Sequence, residues 1–248
     1  VSIISPNQIR GLHEEMGDYG RNLFRNVWRG IVAVDILGKM ARETRPYEVV
    51  SGEADRVYEK CLQEVTGEIE IRKIPSSSLR NSVKAFKEVK VDGVGEKPVI
   101  GIVGEIFVRS NEFSNDRIVR EIENLGAEVW LAPTGEWLFH VNRTLKLYSR
   151  IKGHFRNFIV ALITGFIQHY DERKLTNAVE GFLRNLHEPT ITELWANSEP
   201  YLPGWFGETA LSIGKSADYV RKGLSGIINV MPFTCLPGTI ATAIFKRF

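Results

Sequence analysis

The thiol of Cys235 is the side chain whose setting points most directly to chemistry. It stands in Met231-Pro-Phe-Thr-Cys235-Leu-Pro-Gly238, directly after the apolar run Ile227-Ile-Asn-Val230. Pro237 suits the first turn of a helix, where its missing N–H is no loss, so Cys235 falls just before a helix N-terminus. Free N–H groups and the helix dipole favour a thiolate there, and a thiolate is what a nucleophile or an iron–sulfur ligand needs. A buried, inert cysteine in a tight turn fits the same position, because free cysteine is among the most buried residue types. Two other loops carry charged groups of catalytic type. Pro98-Val-Ile-Gly-Ile-Val103 runs into Gly104-Glu105 and on to Arg109 and Asn111, and Glu128-Val-Trp-Leu-Ala132 runs into Pro133-Thr-Gly-Glu136-Trp137. Glu105 and Glu136 could act as an acid and a base, because two carboxylates held close together acquire separated pKa values. Each fits equally as a capping or loop carboxylate. Arg109 can clamp a carboxylate or phosphate with two parallel bonds, or pair with one of those glutamates.

Familiar catalytic signatures are missing. The histidines at 13, 140, 154, 169 and 187 form neither HxH nor HExxH, and zinc spacing fails likewise. No G-x-S-x-G elbow occurs, and Gly101-Ile-Val-Gly104 is not the dinucleotide fingerprint. Gly214-Lys215-Ser216 has the ending of a P-loop, but the glycine before it, Gly207, lies seven positions back instead of five. Helical spacing of Ala210, Leu211, Ile213 and Ala217 explains that segment and makes Lys215 a helix-surface residue.

The elements that must position these groups follow from periodicity. The second half alternates short apolar runs at 98–103, 128–132 and 227–230 with helical stretches, which implies an open parallel α/β sheet of Rossmann-like type covered by helices. Ligands in such sheets bind beyond the carboxyl ends of the strands, which is where Glu105, Arg109, Asn111, Glu136 and Cys235 all fall. Ser114 is placed to cap the helix after the first strand, and Gly126 to stop it. Residues 1–95 read as mainly helical, after an extended piece at Val1–Ile4, and residues 96–248 as the α/β domain with a helical insert at 138–198. Within the first part, apolar positions from Val27 to Met40 define a largely buried helix over 25–44 that ends at Pro46. A second helix covers about 55–65 with Cys61 as a small core residue, and 66–97, with a short amphipathic piece after Pro75 that ends near Val89, reads as a connector hinged at Gly93 and Gly95. In the insert, Phe155 to Ile167 keeps helical spacing and reads as a core stripe, and Asp171 is placed to cap a further helix.

The whole chain has 248 residues with 32 Lys+Arg against 30 Asp+Glu, and a formal charge of +2 leaves no strongly basic field for nucleic acid. No apolar run reaches the ~20 residues of a membrane span. Two cysteines far apart give no disulfide framework, so a reducing cytoplasm is the expected setting.

Six segments together resemble a known family. Trp28-Arg-Gly-Ile-Val-Ala-Val-Asp35, Arg45-Pro-Tyr-Glu48, Gly104-Glu-Ile-Phe-Val-Arg109 with Asn111, Glu136-Trp137, Gly207-Glu208 and Met231–Gly238 are similar to the 2-hydroxyacyl-CoA dehydratase family. The closer resemblance is to its branch associated with CoA-enzyme activases, which includes double-cubane-cluster reductases. That resemblance implies Rossmann-like domains with an iron–sulfur cluster held between them by cysteines. It also implies an ATP-hydrolysing activator as electron donor and a CoA thioester or other small molecule as substrate. It makes Cys235 a cluster ligand, with Glu105, Glu136, Arg109 and Asn111 lining the adjoining cavity. It further implies that the other ligands lie outside this chain, so that the chain is a fragment without an intact cluster of its own, in a protein that could dimerise. The competing expectation is a module without chemistry, which docks on the activator through its helical surfaces or binds CoA or a nucleotide.

Overall fold

The computed structural model describes residues 18–204 and 207–246, with side chains from Leu23 onward. The extended piece expected at Val1–Ile4 lies outside the described residues. Helix α1 (Asp18–Thr44) gives way to a 3-10 turn (Arg45–Tyr47) at Pro46, since the residue before a proline is disfavoured in the helical region. Helix α2 (Glu53–Glu70) is longer than the expected 55–65, and α3 (Ser76–Glu88) forms where the amphipathic piece of the supposed connector was expected. That stretch is no loose linker, because Leu79 and Phe86 are buried in the core. The strands are β1 (Val99–Gly104), β2 (Glu128–Leu131) and β3 (Gly226–Val230). Between β1 and β2 lie α4 (Ile106–Ser110) and α5 (Ile118–Asn124). Ser114 does not cap α5; the Asn115 carboxamide accepts from the Ile118 N–H instead, and Gly126 ends the element at φ +93°.

Helices α6 (Gly135–Ile151), α7 (Phe155–Thr176) and α8 (Ile191–Ser198) make up the insert, followed by α9 (Gly207–Arg221) and, after β3, α10 (Leu236–Phe245). Asp171 starts no helix. It sits inside α7, fully buried, where the guanidinium groups of Arg25 and Arg29 on α1 donate to it at 2.7 and 3.0 Å. A short carboxylate reads as a cap in sequence, but a partner on another helix overrides that preference.

The sheet is parallel and open, in the order β2-β1-β3. Side chains alternate across β1: Ile102 joins Ile122 of α5 on one face, and Val103 joins Tyr219 of α9 on the other. Gly101 makes the second face possible, because a Cβ there would lie 2.4 Å from the Tyr219 ring. The largest apolar cluster is helical and joins both parts of the chain, with Trp28, Leu37 and Met40 of α1 meeting Leu79 and Phe86 of α3 and Phe139 and Leu175 of the insert. Trp28 and Phe139 meet edge to face at 4.8 Å.

Helices α8 and α9 touch backbone to backbone. A Cβ on Gly214 would fall 2.0 Å from the Leu194 carbonyl oxygen, so the glycine of the P-loop-like ending serves a helix crossing. Gly214→Ala is expected to cost about 1–3 kcal/mol or more by forcing that contact apart and to lower the urea midpoint. Gly67→Ala, with open space around it inside α2, is expected to gain about 0.5–1 kcal/mol from helix propensity. Urea melts of the two variants beside the parent check both signs.

Candidate functional site at the carboxyl edge of the sheet

The loops leaving β1, β2 and β3 are fastened to one another by main-chain contacts. Gly104 ends β1 at φ +119°, and a Cβ there would lie 2.0 Å from the Val230 carbonyl oxygen. Only glycine permits that approach, and the next residue's N–H donates to the same carbonyl at 2.9 Å. Arg109 then ties β1 to β2: its two terminal nitrogens donate to the carbonyls of Gly104 and Pro133, each at 3.1 Å. The side chain is buried, and its Nε has no partner.

Glu105 caps α4 by accepting from the Val108 N–H at 2.8 Å. Asn111 closes a turn in its own loop, its side-chain oxygen accepting from the N–H and hydroxyl of Ser114. Glu136 is buried against Lys215. Arg109 and Glu136 line different cavities. The structure thus brings the loops together but engages the four polar groups in separate contacts.

Lys215 is the residue that sequence reasoning misplaced. It lies 1 % exposed inside α9, in an ion pair with Glu136 of α6 and another with Glu188, which Lys39 of α1 approaches from the other side. Burial alone would raise the Glu188 carboxyl, but two neighbouring ammonium groups outweigh it and hold Glu188 below its ordinary value. Burial dominates at Glu136, which has only Lys215 in direct contact and the like charge of Glu188 nearby, so its pKa goes up. Burial would lower the Lys215 ammonium, yet the two carboxylates raise it. The signal available in sequence was that every residue from Thr209 to Tyr219 is small, apolar or hydroxylic except Lys215 and Asp218. A helix of that composition is buried on most sides, as α9 is from Thr209 through Tyr219. A cavity of about 100 Å³ borders this network, with Asp35, Lys39, Glu136, His169 and Glu188 among its walls. Asp35 accepts the Gly135 N–H at 2.9 Å, fixing the start of α6 on α1.

Cys235 occupies the N-cap of α10 without a side-chain capping bond. Its carbonyl accepts the Thr239 N–H at 2.9 Å and hydroxyl at 2.8 Å. The approach is fixed by Thr234 at φ +66° and by Gly238, where a Cβ would lie 2.3 Å from the Met231 sulfur. Cys235 is half-buried, while its neighbours Phe233 and Leu236 are 97 % and 69 % exposed. Cys61 is buried in the helical core as expected, and burial raises its thiol. Among the described residues no three histidine, cysteine or carboxylate side chains gather into a metal-binding group. None of the described helices is long and apolar enough to cross a membrane.

The chain matches no family model, and no curated protein or solved structure matches it.

Replacing Lys215 by Met leaves Glu136 and Glu188 buried, with Lys39 as the remaining neighbouring ammonium. Breaking such a pair costs about 3–5 kcal/mol. The sign with pH follows from linkage. In the parent, Glu188 is lowered, so its contribution is present at neutral pH and lost as pH falls through its folded pKa. In Lys215→Met the carboxyls move up, so the folded state binds protons more tightly than the unfolded one and stability falls as pH rises. The gap between variant and parent is therefore expected to be widest near pH 8 and to shrink toward pH 4, as read by urea midpoints across that range.

Proposed function

We propose that the chain is the Rossmann-like part of an iron–sulfur redox protein of the 2-hydroxyacyl-CoA dehydratase or reductase type. In this reading Cys235 gives one thiolate to a cluster whose other ligands come from further segments or subunits, and an ATP-hydrolysing activator supplies the low-potential electron. The observation that carries it is the setting of Cys235: a half-buried thiol at a helix N-cap on the carboxyl edge of a parallel sheet, between two exposed apolar side chains that another surface would cover. The described residues do not hold a cluster by themselves, since clusters commonly take four protein thiolates and no metal-binding group is formed among them. The chemistry assigned to this chain is therefore limited to one ligand and the loops that aim it.

The test is anaerobic reconstitution of the full-length protein with iron and sulfide, followed by absorption and EPR spectra of the parent and of Cys235→Ala. Loss or change of the cluster signal in the variant supports the ligand assignment, and an unchanged cluster overturns it.

A second reading, a docking module for the activator, is favoured by the α6–α7 hairpin. From Trp137 to Tyr170 the chain carries five Lys and Arg residues and no Asp or Glu. The same hairpin leaves Ile151, Phe155 and Phe166 68 %, 75 % and 74 % exposed, so the apolar stripe expected to be core from its spacing lies largely at the surface. Two copies meeting through this face would oppose like charges, so its complement is an acidic surface with an apolar centre. Calorimetric binding to a purified activator ATPase, weakened by salt and lost in Phe155→Asp/Phe166→Asp, supports this reading. Unchanged binding by that double variant removes it.

A further inference from the structure

Several inward-facing cations of this protein have a carboxylate in contact, but the half-buried Arg42 does not. Arg25 and Arg29 share Asp171, Arg45 holds Asp55 and Glu123, and Lys39 and Lys215 share Glu188. Arg42 makes no hydrogen bond or ion pair with any described residue. Its guanidinium folds over Gly38, where a Cβ would come within 2.8 Å of Nη1, and it faces a cleft of about 410 Å³ beyond the carboxyl ends of β1 and β2. Arg109, held by backbone carbonyls and with its Nε unpartnered, lines the same cleft. So does Arg117, exposed and without a carboxylate in contact. The hydroxyls of Ser110 and Thr134, 3.3 Å apart, belong to the same wall.

Four carboxylates also border the cleft. Asp55 is neutralised by Arg45 and Arg120, Asp35 accepts the Gly135 N–H, and Glu59 and Glu112 stand on the solvent-exposed rim. The inner wall therefore keeps guanidinium groups with no carboxylate in contact, Arg42 being attracted by Asp35 and Glu123 only from a distance. Guanidinium forks match phosphate oxygens in geometry and charge, and the carboxyl end of a parallel sheet is where open α/β folds take ligands.

We propose that this cleft is a binding site for a phosphoryl or pyrophosphoryl group, with Arg42 as its principal anchor and Arg109 and Arg117 as its flanking donors. The site is independent of the iron–sulfur reading: it uses neither Cys235 nor a cluster, and it stands if that reading fails. Burial lowers the Arg42 pKa against the attraction of Asp35 and Glu123, and the like charge of the neighbouring Arg45 adds to the lowering. An empty site therefore carries a charge whose burial is unfavourable, and a bound anion relieves that.

The experiment is calorimetric titration of the full chain with sodium pyrophosphate, and separately with inorganic phosphate, at constant ionic strength made up with sodium chloride. Thermal melts are recorded under the same conditions. Saturable pyrophosphate binding is expected, with a rise in melting temperature that chloride does not produce. Arg42→Gln is expected to weaken binding at least tenfold while melting at or above the parent temperature without ligand, since it removes a half-buried charge that has no carboxylate in contact. Arg156→Gln, on the distant hairpin, is expected to bind as the parent does. Absence of saturable binding, undiminished affinity in Arg42→Gln, or equal binding of succinate in place of pyrophosphate would each overturn the assignment. An Arg42→Gln variant that melts well below the parent without ligand would also overturn it, by showing the guanidinium to be structural.

Discussion

The ammonium of Lys215 is the interaction on which the arrangement of this molecule depends. It joins α9 to α6 through Glu136 and to the segment before α8 through Glu188, and Lys39 extends the link to α1. Two cations and two carboxylates balance, so the group adds no net charge to the interior. Its cost lies in desolvation, and its worth lies in the penalty for any packing that separates the partners. An apolar contact tolerates sliding by an ångström or so, whereas a buried charge left without its partner does not. The network therefore fixes how the helical layer sits on the sheet, and with it the position of the loop carrying Glu136 relative to Arg109.

Close backbone approaches supply the second constraint. Gly104 meets the Val230 carbonyl, Gly101 meets Tyr219, Gly214 meets Leu194 and Gly238 meets Met231. Three of them adjoin residues discussed above: Gly104 precedes Glu105 and Arg109, Gly214 precedes Lys215, and Gly238 follows Cys235. Side chains at those places would move the loops apart by more than a hydrogen bond tolerates. Side-chain hydrogen bonds add further fastenings between these elements. Asp35 accepts from Gly135, Trp137 donates to Glu208 at 2.8 Å, and Glu48 accepts from the Gly52 and Ala54 amides at the start of α2. Their first role is to assemble the edge.

Strands β1, β2 and β3 and the break at Pro46 were legible in the sequence because each has a local cause: an apolar run between turn residues, or a proline that forbids helix. Cys61 was legible for the same reason, as a small residue on an apolar stripe. Glu105 was read in two ways, and the structure gives it the capping bond. Lys215 and Asp171 were not legible. Helical spacing is identical for a lysine pointing to solvent and one pointing to a carboxylate on another helix, and the partners, Glu136 and Arg25, are far away in sequence. The length of α2 was missed because charge density was read as exposure, and α3, read as a short amphipathic piece ending near Val89, was placed in a connector for the same reason. Amphipathic helices bury one face and leave the charges on the other, as Leu79 and Phe86 do beneath the charged face of α3.

Arg42 is informative because of the contrast with these pairs. A buried charge is expensive, and this protein meets that expense at Asp171, Glu123, Glu128 and Lys215 by placing an opposite charge in contact. An arginine kept without such a contact, over a glycine that makes room for it and beside a second arginine held only by carbonyls, stands apart from those pairs. Stability does not account for the departure, since removing the charge would relieve desolvation. A ligand that carries the missing negative charge does account for it, and it also accounts for why the cleft lies at the carboxyl edge, where the sheet topology leaves main-chain ends and side chains free to converge.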